Sequence, residues 1–103
     1  PRGAGPMSYY TRQQVIELLE LDENFLVSLE REEIVVRDAP DEAAGEFSER
    51  MLERVRVSHN LIHALEVNLA GAAIIVRMRE EMAEQRRRIE RFLAELRSRE
   101  EGP

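Results

Sequence analysis

The sequence predicts a mainly α protein. A helix-turn-helix leads through a small β wing and a third helix into a long C-terminal coiled-coil helix. Three observations carry that expectation. Two short apolar-periodic segments between Thr11 and Glu32, each opened by a capping residue, are separated by a very brief turn. A β-branched run, Ile34–Val35–Val36, precedes a turn-rich acidic loop. From Ile75 onward, apolar residues recur every seven positions.

Ordered structure is expected to begin at Tyr9–Tyr10. Thr11 suits the N-cap of the first helix, and Gln14 three residues on completes a capping-box pattern. Val15, Leu18 and Leu19 supply its apolar face, Ile16 offers a second contact, and Leu21 closes the turn. Asp22 caps a second helix running to about Glu32, with Phe25 and Leu29 on the face shared with Leu21. Ile34–Val36 reads as an edge strand, 38–45 (DAPDEAAG) as a loop, and Glu46–Phe47 as the returning strand of the wing. Ser48 caps a third helix, Glu49 to about Leu65. Met51, Leu52, Val55, Ile62 and Leu65 form one apolar stripe on it, and Val57 and Leu61 another. Asn68 caps the last helix, Leu69 to about Arg99, with Val67 as a staple residue and Gly71 admitting close approach of the third helix.

That last helix carries a heptad seam of Ile75, Met78, Met82, Gln85, Ile89, Phe92 and Leu96, broadened by Leu93. It is expected to be the dimer interface of a homodimer, with Met78 and Met82 as core residues. The domain boundaries that follow are a flexible leader or vector remnant at 1–8, a winged helix-turn-helix-like domain at 9–68, a dimerisation helix at 69–99 and a tail at 100–103.

Composition narrows the function classes. At 103 residues, with 43% hydrophobic and 35% charged residues, the chain supports one modest core and is not disordered. It has no cysteine, which excludes disulfides, thiolate chemistry and cysteine-ligated zinc. The longest apolar run, Leu69–Val76, is far short of a spanning helix, so a cytoplasmic protein without membrane contact is expected. Charge is uneven. Between Glu17 and Glu49 there are twelve acids and two bases, Arg31 and Arg37, whereas the flanking segments are mildly basic. Such a surface repels phosphate and attracts basic partners, although a helix-turn-helix usually approaches DNA.

The order of elements, and three strings within it, resemble MerR-type regulators. LEREEIV at 29–35 is similar to the "YEREGLL" segment that follows their recognition helix. Phe47-Ser48 with Leu52 resembles the start of their third helix, and LEVNLAG at 65–71 resembles the turn into the helix after it. The departures are informative. Where DNA readers of that family carry bases on the recognition helix, this chain has Asn24 and Val27, flanked by Glu23 and Glu30. The wing carries Asp38, Asp41, Glu42 and Glu46 against Arg37 alone. Phosphate contacts gain affinity by releasing counterions, and here the sign is reversed.

The opening TRQQVIELLELDE at 11–23 and VNLAGAAIIVRMRE at 67–80 resemble one branch of the superfamily, the CbpM-type chaperone modulators. That resemblance implies a bacterial MerR-like protein that binds the basic J-domain of a DnaJ/CbpA-like co-chaperone and inhibits or tunes its work with DnaK. It also implies antiparallel pairing of the long helices. The expected contact stripe is Glu23, Val27 and Glu30 at i, i+4 and i+7, extended by Asp22 and Glu33. The competing class is a MerR-type dimeric DNA-binding transcriptional regulator, which would bind duplex DNA with a steep salt dependence.

Other groupings point to no chemistry. His59 and His63 have metal-compatible i, i+4 spacing, but no acid completes the site, so neither metal nor cofactor is expected. The Arg86–Arg88 triplet is flanked by Glu84 and Glu90 and reads as a solvated coil face. No nucleophile–base arrangement is present, so an enzyme is not expected.

Overall fold

The computed structural model describes residues 8–102; most of the expected leader, and Pro103, lie outside them. The element order is β1 (Tyr9–Tyr10), α1 (Arg12–Leu19), α2 (Glu23–Arg31), β2 (Phe47–Ser48), α3 (Glu49–His63) and α4 (Leu69–Glu101). Two boundaries differ from the sequence reading. Ser8, assigned to the leader, is buried, and α4 continues through Glu100 and Glu101, assigned to the tail.

Each helix starts where a side chain satisfies an otherwise unpaired N–H. Thr11 Oγ1 accepts from Gln14 N–H at 3.1 Å and Gln14 Oε1 accepts from Thr11 N–H at 2.8 Å, closing the capping box. Asp22 accepts from Asn24 N–H, Ser48 from Met51 N–H and Asn68 from Gly71 N–H. A Cβ at Gly71 would lie 3.0 Å from Val67 Cγ1 and 3.1 Å from Asn68 Oδ1. The glycine therefore clears the helix's own cap, and not α3 as the sequence suggested.

The expected wing is corrected. Ile34–Val36 is not a strand, because the end of α2 uses its backbone. Glu33 N–H donates to Glu30 C=O, and Ile34 N–H to Leu29 C=O, both at 3.0 Å, with Glu33 left-handed at φ 59°. This is a Schellman closure, and it turns Ile34 and Val35 into the core beside Leu29. The strand partner of Phe47–Ser48 is instead β1, antiparallel, with Tyr9 opposite Ser48 and Tyr10 opposite Phe47. The 38–45 loop folds over this pair. Gly45 packs so tightly that a Cβ there would sit 2.5 Å from Tyr10 N.

The core comprises Val15, Leu21, Leu26, Leu29, Ile34, Val35, Phe47, Met51 and Val55. Burying each large side chain contributes roughly 1.5–3 kcal/mol. Three expectations about faces change. Leu18 is exposed and Ile16 packs inward; Leu26 is fully buried while Phe25 is only half-buried; Leu65 lies in the exposed α3–α4 turn. Phe25 instead packs against both histidines of α3, edge-on to His59 at 5.3 Å and tilted to His63 at 5.1 Å. α4 lies on α3 only through its first part, where Ala72 and Val76 are buried.

Candidate functional site

The helix-turn-helix face is built by α2 and the two turns that bound it. Helical spacing brings Glu23, Val27 and Glu30 to one side of α2, as expected from i, i+4, i+7. The structure adds a cation that sequence reading left out. Arg12, the first residue of α1, reaches across and donates two 2.8 Å hydrogen bonds to the Glu30 carboxylate. Its Nε also lies 3.6 Å from Glu23. The Glu30 hydrogen bonds, and its charge with that of Glu23, hold the Arg12 guanidinium above its ordinary pKa despite partial burial.

The five expected contact residues therefore differ in availability. Glu30 is half-buried and paired, and Val27 is half-buried between the carboxylates. Glu23 is exposed and only loosely approached by Arg12. Asp22 is exposed, with one oxygen occupied by its capping bond. Glu33 projects from its left-handed position into solvent beside exposed Glu32. Asp38 of the loop is a clamp: its carboxylate accepts from both the N–H and the hydroxyl of Ser48. Glu49 accepts from the Tyr10 hydroxyl. Within Glu17–Glu49, and among the described residues, Arg12 supplies the ion pairs made by the acids.

Behind this face a second cluster was not anticipated. Arg54 on α3 forks onto Glu80 of α4 with two 2.8 Å bonds and also donates to the Ile34 carbonyl at 2.9 Å. Arg50 adds a third contact to Glu80 at 3.1 Å. The hydrogen bonds from Arg54 hold Glu80 below the usual carboxylate range. One guanidinium thus ties the end of α2 to α3 and α4. The only sequence clue is the i, i+4 spacing of Arg50 and Arg54.

The expected seam of α4 lies on the helix surface. Met78, Met82, Ile89, Phe92 and Leu96 are all exposed, Phe92 by 58%, as are Gln85 and Leu93; Ile75 is half-buried near the domain. No group of three or more His, Cys, Asp or Glu among the described residues could hold a metal ion. Nor is any described helix long and apolar enough to cross a membrane.

Capped paired helices, a two-residue strand pair and a 33-residue C-terminal helix make up a helix-turn-helix protein with an extended arm. The family model for MerR HTH family regulatory proteins matches residues 10–93, and the chain belongs to that family. Comparison with curated proteins and with solved structures gives no match.

Proposed function

We propose that this MerR-family protein is a non-enzymatic inhibitor of a DnaJ-like co-chaperone. It binds the co-chaperone's basic J-domain through its acidic helix-turn-helix face and so regulates DnaK activity in the bacterial cytoplasm. The observation that supports this reading best is the sign of that face. Where a DNA reader needs bases, α2 presents Asn24 and half-buried Val27, and the exposed acids around them, Glu23, Glu32, Glu33, Asp41 and Glu42, outnumber the exposed bases Arg31 and Arg37. Such a surface opposes duplex DNA and favours a polybasic helix. It acts mainly through association rate, with Val27 as the apolar contact. The protein works as a homodimer joined by the exposed seam of α4.

The test is a pull-down with the host's J-domain proteins at low and high salt, alongside a duplex DNA titration. Capture of a J-domain protein that weakens with salt, without DNA binding, is the expected outcome. Salt-sensitive DNA binding without J-domain capture would favour the transcriptional regulator and sink this reading.

A further inference from the structure

We infer that His59 and His63, on the last two turns of α3, chelate a divalent copper or nickel ion between their imidazoles. The site is independent of whatever the acidic face binds. These are the chain's two histidines, and it has no cysteine. Positions i and i+4 are neighbours on a helix surface, so both rings rise from one face of α3. Their centres lie 4.4 Å apart, and the rings are tilted by 42° instead of stacked face to face.

That separation discriminates between coordination geometries. A metal–nitrogen bond of about 2.0–2.1 Å sets each ring centre about 3.2 Å from the ion, so ligands at about 90° put the centres about 4.5 Å apart and tetrahedral ones about 5.2 Å apart. The observed 4.4 Å matches the right-angled arrangement and falls well short of the tetrahedral one. Right angles between nitrogen ligands belong to square-planar or tetragonal copper and nickel, whereas zinc takes the tetrahedron. No third His, Cys, Asp or Glu among the described residues joins the pair. A structural zinc site needs four protein ligands, but a tetragonal ion can keep water at its remaining positions. Two imidazoles also offer nothing to magnesium or calcium, which bind through oxygen.

The fold prepares the pair for an ion. The Phe25 ring meets His59 at 5.3 Å and His63 at 5.1 Å, so both imidazoles are held before the ion arrives. Little side-chain freedom is then lost on binding. His63 is exposed and opens the site to solvent, while half-buried His59 anchors it. His63 also lies in the last turn of α3, where the helix dipole ends negative and favours a cation. Phe25 belongs to the first turn of α2. A bound ion therefore braces the start of α2 against the end of α3.

Titrating the full chain with copper(II), nickel(II), zinc and magnesium chlorides tests the site, read by calorimetry and, for copper, by electron paramagnetic resonance. Copper should bind one ion per chain with coupling to two nitrogens, more tightly than nickel or zinc, and magnesium should not bind. Because the ion holds only the folded arrangement, copper should also raise the melting temperature. Chelation makes the second bond intramolecular, so H63Q should weaken copper binding about tenfold or more and leave coupling to a single nitrogen. His63 is exposed, so this substitution spares the core. H59Q, checked for folding by circular dichroism, should show the same loss. Copper binding that survives H63Q unchanged, or one ion shared by two chains, overturns the site. Zinc binding more tightly than copper overturns the right-angled geometry.

Discussion

Replacing Arg12 with alanine separates two roles that its position joins. The guanidinium and the Glu30 carboxylate are 30% and 29% exposed and meet in a bidentate pair. Fully exposed pairs contribute about 0.2–1 kcal/mol, and hydrogen bonds to charged groups about 1.5–3. A half-buried fork discounted for solvent lies between, so R12A should cost about 1–1.5 kcal/mol. For a domain of this size that lowers the melting temperature by roughly 4–12 °C. The effect on binding has the opposite sign. A freed Glu30 charge about 7 Å from a partner cation gains about 0.6 kcal/mol in water, reduced to about 0.25 by physiological salt. Summed over three or four basic residues of a J-domain, this is about 1 kcal/mol, or about five-fold tighter binding. Thermal denaturation and calorimetric titration at physiological salt measure the two effects. A destabilised R12A whose J-domain affinity is unchanged or weaker refutes the placement of the contact on Glu23–Glu30. An R12A with unchanged stability refutes the energetic role of the pair.

Other perturbations probe the frame that holds this face. G45A should destabilise the domain by about 1–3 kcal/mol, because its methyl would meet the Tyr10 backbone at 2.5 Å; denaturant unfolding would show it. S58A should be neutral or stabilising by up to about 1 kcal/mol, since the Ser58 hydroxyl is fully buried without a hydrogen-bond partner; a loss above that would reveal a bond the fold does not display. Acid should loosen α4 from α3. Glu80 titrates below its ordinary 4.5 in the fold, so its contribution is complete above that value and lost as pH falls through the depressed one. R54M should flatten that part of the stability–pH curve. His59 acts in a higher range: burial, reinforced by His63, lowers its pKa from 6.5, so stability declines as pH falls below that value, and H59F should remove the decline.

The element order was legible because it rests on local chemistry. Thr11, Asp22, Ser48 and Asn68 each announce a helix start, and each performs the capping expected of it. The wing was not legible. Ile34–Val36 has strand composition, but whether β-branched residues form a ladder or plug a core depends on what the preceding carbonyls accept. Here Leu29 and Glu30 accept backbone N–H groups from Glu33–Val35 in a helix closure. That closure requires a left-handed residue, and glutamate at position 33 hides it, because glycine is the usual mark. Leu26 was missed for a related reason: the tight turn after Leu21 rotates α2 so that 26 and 29, not 25 and 29, face inward.

The acidic block gains internal structure once its partners are known. Asp22 caps α2, Asp38 clamps Ser48, Glu49 accepts from Tyr10, and Glu30 is held by Arg12. These four carboxylates serve the fold, and a partner's cation must displace or share the bonds they already make. Glu32 and Glu33, at the end of α2, and Asp41 and Glu42, on the loop, are exposed without ion pairs among the described residues. Arg54 and Arg77 line a small cleft with Glu32 and Glu33, and Arg54 is itself engaged by Glu80. Long-range attraction counts every charge, whereas tight contact favours carboxylates that give up only water. The first encounter with a basic partner is therefore steered by the whole block, and the close contact centres on the ridge from Glu23 to Glu33. On this ridge Glu33 ranks above Glu30: its charge reversal should weaken binding without unfolding α2, while reversal at Glu30 must disturb both.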